Sequence, residues 1–347
     1  MLSGCGLLEV GPASRITEIE PVSFRVRVVE LGPHDPERVF YPSDAPVSEF
    51  LPGDRVRFEV EVVDVDGLAL ADDELDSVWL LLSQPEEEGG GGMVLLDDPW
   101  LDLRCDELES WTLSTPCRLG EGRGSIEFEA PPLGDKAYVN HSLWVYTAIA
   151  WNGQSAEDCW TARRTNQIVP SDCGFMYATP RVGPTWWLLA HAVSEGVATS
   201  LPVEHFHPAL FLQQANRPPQ LVRMEVELAG ATMELTPSDG IIGPIAVEPG
   251  QRLRMTAGLD ENQQFAQSMF VPLDFAGDVF TLMPELVFVR VATAGPITVA
   301  QPNPLPATEA IVVEIDQHAE PGLARMVLAI HDQRGAEEVV RVELEIQ

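Results

Sequence analysis

The sequence predicts an all-β protein of two antiparallel β-sandwich domains, and three observations carry that prediction. Apolar and polar residues alternate with period two in several separate runs. Glycine and proline fall between those runs. One Pro-Gly-launched strand near residue 55 is echoed near residue 252.

The runs come in chain order. In Val22-Ser23-Phe24-Arg25-Val26-Arg27-Val28 every second residue is apolar, and Arg55-Val56-Arg57-Phe58-Glu59-Val60-Glu61-Val62 repeats the pattern for a full strand length. Residues 222–228, 311–315 and 326–330 follow, and Val340, Val342, Leu344 and Ile346 alternate with Arg341, Glu343 and Glu345. Successive side chains of a strand point to opposite faces, so each run describes a strand with one dry and one wet face. That pattern belongs to antiparallel sheets rather than to βαβ units. Asp66-Gly67, Asn152-Gly153 and Glu195-Gly196 stand where hairpins should reverse, with glycine supplying positive φ. The 29 prolines and 27 glycines fit a loop-rich β chain. Sustained helical periodicity is absent, and residues 102–112 are the one short helical candidate.

Pro52-Gly53-Asp54-Arg55-Val56-Arg57-Phe58 is echoed by Pro249-Gly250-Gln251-Arg252-Leu253-Arg254-Met255, each strand ending in an acidic turn. Asn216-Arg217-Pro218-Pro219 reads as a stiff linker between the copies. The expected division is a tether over residues 1–17, a first domain over 18–208, a linker over 209–218 and a second domain over 219–347.

Acidic residues outnumber basic ones 54 to 21 in 347 residues, a formal charge of −33. A surface that negative repels phosphate backbones and anionic headgroups, which argues against nucleic acid and against electrostatic membrane docking. Lys136 is the sole lysine. No apolar run is long enough for a transmembrane helix.

Leu2-Ser3-Gly4-Cys5 resembles the lipobox of bacterial lipoproteins. The resemblance implies that Cys5 becomes a lipid-modified N-terminus and that Gly6, in place of Asp, permits passage to the outer membrane. The basic and apolar regions that precede a lipobox do not appear before it. Five cysteines are an odd number; setting Cys5 aside leaves Cys105, Cys117, Cys159 and Cys173. Three pairings exist. Loop-closure entropy favours Cys105–Cys117 with Cys159–Cys173, each worth about 3 kcal/mol. Zinc is the competing reading, but no C-x₂-C element or neighbouring histidine supports it. Disulfides place the chain in an oxidising compartment.

The Pro-Gly-launched strand, the Asp64, Asp66, Gly67 turn and a late strand running into Asp332-Gln333-Arg334-Gly335 resemble immunoglobulin-like modules of PKD or bacterial Ig type. The whole resembles uncharacterised lipoproteins of high-GC Gram-negative bacteria. In that frame the acidic loop Glu86 to Gly92 and the cysteine-bearing stretch 151–184 are insertions in the first domain. Trp79 takes its core position, with Phe288 as the counterpart in the second.

No G-x-S-x-G elbow, H-E-x-x-H, P-loop or dinucleotide fingerprint is present, so the expectation is a protein that is not an enzyme. His205 and His207 lie at i and i+2 on one strand face, within reach of one metal, yet a third ligand is not identifiable; solvated imidazoles are the plainer reading. Asp64, Asp66, Asp72, Asp73 and Asp76 supply oxygens of the kind calcium prefers, against the plainer reading of acidic turns. All eight tryptophans lie between residues 79 and 187. Trp144 and Tyr146 share a strand face, while the adjacent Trp186 and Trp187 point to opposite faces. All four are candidates for stacking on a ligand, against a reading as core.

These readings converge on a lipid-anchored, extracytoplasmic, non-enzymatic module for adhesion, scaffolding or capture of a protein or glycan ligand. One alternative is a carbohydrate-binding or carbohydrate-active protein using the Trp-rich domain. Another is a structural spacer with no concave pocket.

Overall fold

The computed structural model describes residues 11–12, 14–33, 47–82, 99–112, 115–131, 143–184, 187, 194, 215–260, 286–332 and 335–347. The described residues form an all-β, sandwich-like fold with one α-helix and two units, each made of a pair of sheets around its own core.

The first unit pairs a three-stranded and a four-stranded sheet. Sheet I runs β3 (Glu20–Glu30), β4 (Arg55–Val63), β7 (Ser125–Glu129); sheet II runs β6 (Cys117–Gly122), β5 (Asp76–Leu82), β8 (Trp144–Ala150), β9 (Cys173–Ala178). Every neighbouring pair in them is antiparallel. Phe24, Val26, Val56 and Phe58 from sheet I meet Trp79, Leu81, Val145 and Ile149 from sheet II. The rings of Phe24, Phe58 and Trp79 lie 5.4–6.4 Å apart; each phenylalanine buried there stabilises by about 1.5–3 kcal/mol. Trp79 is fully buried, and its indole N–H donates to Ser77 Oγ at 2.7 Å.

The second unit is larger. Sheet III runs β11 (Ala231–Leu235), β10 (Leu221–Leu228), β13 (Arg252–Leu259), β18 (Ile311–Ile315), β15 (Ile297–Val299). Sheet IV runs β12 (Ile241–Val247), β20 (Glu337–Ile346), β19 (Gly322–Asp332), β14 (Val287–Ala294), β17 (Leu305–Pro306). β12 pairs with β20 in parallel, an exception to the antiparallel expectation. The echoed motif holds in three dimensions. β4 and β13 start three residues after Pro52 and Pro249, and Val56, Phe58, Leu253 and Met255 are fully buried at matching positions. Phe288 does not match Trp79. It is only partly buried and stacks on His331 at 5.8 Å, because the core side of β14 belongs to Val289 and Val291.

The segment expected as a tether carries two short strands. β1 (Gly11–Pro12) pairs with β16 (Pro302–Asn303), and β2 (Ser14–Arg15) pairs in parallel with β14. Residues 11–12 and 14–15 are therefore strands of the second unit. From there the chain crosses to the first unit at β3, and it meets the second unit again at Asn216, whose side-chain amide donates to Asp332 Oδ2 at 2.7 Å.

Two more differences have local causes. Asn152 (φ 55°) and Gly153 (φ 79°) do form a left-handed turn, but it leads into α1 (Ala156–Arg164) rather than into a hairpin. Within residues 102–112 the helical content is short 3₁₀ turns at Pro99–Asp102 and Cys105–Glu107. The turn at Glu195-Gly196 and the loop Glu86 to Gly92 lie outside the described residues.

Candidate functional site

Sheet II carries the most elaborate chemistry in the first unit, because both of its faces are covered. One face is the core described above. On the other, Val78, Leu80, Tyr146 and Ala148 pack under α1 through Cys159 and Trp160. The helix is nine residues long and is set by its ends. Ser155 Oγ accepts from Glu157 N–H, Glu157 and Asp158 open the first turn, and Arg163 and Arg164 close the last. That charge order suits the helix dipole. Asp76 Oδ2 accepts from Ala156 N–H at 2.8 Å, which ties the helix start to β5.

The two disulfides brace this sheet with the favoured pairing. Cys105–Cys117 fixes a 3₁₀ turn to β6, with Cα atoms 5.1 Å apart; Cys159–Cys173 fixes α1 to β9, with Cα atoms 5.7 Å apart. Cys105, Cys117 and Cys159 are buried.

The stacking candidates divide. Tyr146 is buried, its ring stacked on Phe175 at 5.8 Å and tilted against Trp160 at 5.8 Å. Burial pushes its phenol up to about 12, against the pull of Arg163. Trp144 is half-buried and meets Tyr177 edge-on at 5.3 Å. Trp144 and Tyr146 thus do not make an exposed two-ring platform, and sequence reasoning missed Tyr177, the ring that accompanies Trp144 at the open end of the face. Its place on β9, directly across from Tyr146, depends on strand pairing that spacing alone does not reveal. Arg163 sits over the Phe175 ring at 5.7 Å, a cation–π contact. Trp187 packs against the first core and Val47, Leu51 and Ala215; Trp186, Cys5, His205 and His207 lie outside the described residues.

The five aspartates do not gather. Asp64 Oδ1 accepts from the N–H groups of Asp66 and Leu68, closing its own turn. Asp72 and Asp73 belong to a 3₁₀ turn, and Asp76 is spent on α1. Among the described residues, no three His, Cys, Asp or Glu side chains form a group that could hold a metal ion.

Outside these candidates, the wet face of sheet I is a ladder of opposite charges. Arg25 and Arg27 reach Glu59 at 3.7 and 3.5 Å, and Arg57 donates to Glu127, which holds the Glu127 carboxyl below its usual range. Arg25, Arg57, Glu59, Glu61 and Asp72 line an open cleft of about 330 Å³. A second, of about 600 Å³, lies between Glu30, Pro33, Arg55 and Glu127.

The seam between the units is the other polar concentration. Ile16, Val22 and Val63 pack against Ala292, Ala294 and Val327. Val22 has no partner in the β3–β4 register, which shifts between Pro21 and Ser23; such a bulge re-aims a side chain, here into the seam. Gly67 (φ +73°) abuts Ala294 and Arg325 so closely that a Cβ would lie 3.3 and 3.2 Å from theirs. Arg341 donates to Glu61, Arg325 donates to the Asp66 carbonyl at 3.2 Å, and Arg290 donates to the Val22 carbonyl.

No known family model matches the chain, and no curated protein matches it in sequence. Similar solved structures include a chain of a type I cohesin–dockerin complex from Clostridium thermocellum, with 12% identity over 35% of this chain and 99% of that one and a TM-score of 0.17. E. coli alpha-2-macroglobulin matches at 9% identity over 86% of this chain, with a TM-score of 0.21; the match spans only 16% of the macroglobulin chain. The human desmocollin-1 ectodomain matches at 9% identity over 93% of this chain and 54% of that one, with a TM-score of 0.19. Likenesses this loose carry no fold, ligand or activity over to this chain.

Proposed function

We propose that the protein is a non-enzymatic, extracytoplasmic binding or scaffolding module, anchored by lipid at Cys5 and built from two immunoglobulin-like units that act as one stiff body. The observation that carries this reading is the pair of short-loop disulfides at the Trp-rich end, because structural bridges of this kind form and persist in oxidising compartments and are rare in the reducing cytosol. The apolar and ion-paired seam supports the stiffness, since interfaces without such contacts leave units free to move. The partner is a protein or glycan met by the first unit, whose Trp144–Tyr177 edge and charged clefts offer both apolar and polar contacts.

Growth of the native host with a labelled fatty acid tests the anchor. Wild-type chain takes up label and Cys5→Ala does not; equal labelling of both, or of neither, overturns lipidation. Non-reducing peptide mapping of the same material tests the compartment separately. It should recover the 105–117 and 159–173 peptide pairs, and four free thiols would sink the extracytoplasmic reading.

A further inference from the structure

Two hydrogen-bond donors meet on the helix-covered face of sheet II with no acceptor to answer them. The Tyr146 hydroxyl is enclosed, on a residue only 8% exposed, and has no hydrogen-bond partner. Buried tyrosines ordinarily find a partner, and a phenylalanine would fill the same place without an unmet group. Arg163 is exposed at the end of α1 and rests over the Phe175 ring at 5.7 Å. Phe175 stacks in turn on Tyr146, whose phenol feels the charge of Arg163. Of the carboxylates around α1, Glu157 pairs with Arg118, Asp102 pairs with Arg164, and Asp76 is tied to the helix start. Among the described residues none pairs with Arg163, in a chain where acids outnumber bases 54 to 21.

The rings beside these donors form a wall. Tyr177 lies across from Tyr146 and is 37% exposed, and the half-buried Trp144 meets it edge-on at 5.3 Å. Trp144 and Tyr146 on β8, with Phe175 and Tyr177 on β9, share one face, alternate positions on a strand standing about 7 Å apart. β9 is the outer strand of sheet II, so the ring pair borders its open side.

We infer that this face binds an acidic sugar, a carboxylate-bearing pyranose within a polysaccharide. Its C–H face packs on Tyr177 and Trp144, and its carboxylate seats against Arg163 with one oxygen accepting from the Tyr146 hydroxyl. The inference rests on the reading of the first unit as the one that meets a partner, and it names the class of glycan. A guanidinium takes a carboxylate through two parallel N–H bonds. The contact of Arg163 with Phe175 is weak at an exposed position, so the arginine can swing to admit the carboxylate to the hydroxyl. An acidic peptide fits less well, because Asp and Glu bring no apolar ring face to stack on the wall. The acidic surface elsewhere repels anions, but at about 0.15 M salt that repulsion is screened beyond about 8 Å.

The test is native affinity electrophoresis of the full chain at about 0.15 M salt, in gels holding polygalacturonate, alginate or hyaluronan. Highly methyl-esterified polygalacturonate and dextran are the neutral controls, and polyglutamate is the control for charge without a sugar. At least one acidic polysaccharide should retard the chain, and the controls should not. Arg163→Gln should weaken that retention about tenfold or more, and Tyr146→Phe about threefold or more. Because the Tyr146 hydroxyl has no partner, Tyr146→Phe should keep its melting temperature at neutral pH, which separates lost binding from lost folding. No retention by any of the three acidic polymers, equal retention by polyglutamate, or undiminished retention in either variant overturns the inference. Retention by the neutral polymers that Tyr177→Ala abolishes also overturns it, while leaving the glycan-binding reading in place.

Discussion

The guanidinium of Arg341, on the last strand of the second unit, donates to the carboxylate of Glu61, on the second strand of the first. Glu61 is buried with 8% of its side chain exposed, and Arg25 approaches its other oxygen at 3.4 Å. The position reads in sequence as one more polar member of an alternating strand. It is dry because the second unit closes over that end of β4, where Val62 and Val63 are buried as well.

Replacing Arg341 with Ala leaves Glu61 half-compensated in a dry place. The expected loss is about 1–3 kcal/mol, since an under-paired buried carboxylate costs more than the ion pair gains. Arg341→Lys should recover part of it by keeping the charge without the fork. Urea denaturation of both variants at neutral pH measures the difference.

The bridge between α1 and β9 should dominate the stability of the helix-covered face. Cys159→Ala with Cys173→Ala removes a link closing 14 residues, a loss of about 3 kcal/mol. Trp160, the neighbour of Cys159, is 2% exposed; its fluorescence should shift to the red as α1 frees itself. An unchanged spectrum after reduction would show that burial of Trp160 alone holds the helix down.

The Trp79 indole depends on one acceptor. Ser77→Ala removes that acceptor inside the core and should cost about 1–3 kcal/mol, the penalty for a buried donor left unmet. Ser77→Thr keeps the oxygen and should cost less. Thermal unfolding of the pair of variants separates the hydrogen bond from packing.

Tyr146 should make the first unit sensitive to alkali. Its phenol is raised to about 12 in the folded chain from an ordinary value of 10, so the fold holds the neutral form. The stability this gives is complete below pH 10 and is lost as pH rises from there toward 12. Tyr146→Phe should flatten the fall in melting temperature across that interval while leaving values at neutral pH nearly unchanged.

The sequence disclosed strands wherever one side of a sheet meets water. β3, β4 and β20 show the alternation because Arg25, Arg57 or Glu343 stands on the outside while Phe24, Phe58 or Val342 stands within. It disclosed less where both sides are dry. β5 is an unbroken apolar run from Val78 to Leu82 because sheet II lies between the core and α1, and a short apolar run does not fix its own period. α1 escaped notice because nine residues hold too few turns for periodicity, although Ser155 with the acidic start and basic finish was a readable signature. The disulfide pairing was legible because it is governed by loop length. The seam was not, because Glu337 meets Phe24 and Arg290 meets Val22 across some three hundred residues.

The pairing of residues 11–12 and 14–15 with the second unit also dictates an order of arrival. Their partners, residues 292–293 and 302–303, leave the ribosome only after everything between has been made, so these strands must wait, unpaired, until then. A chain made from its N-terminal side cannot finish the second unit until those partners appear. The slow step of assembly should therefore be this late reunion of distant segments, which carries a large loop-closure penalty.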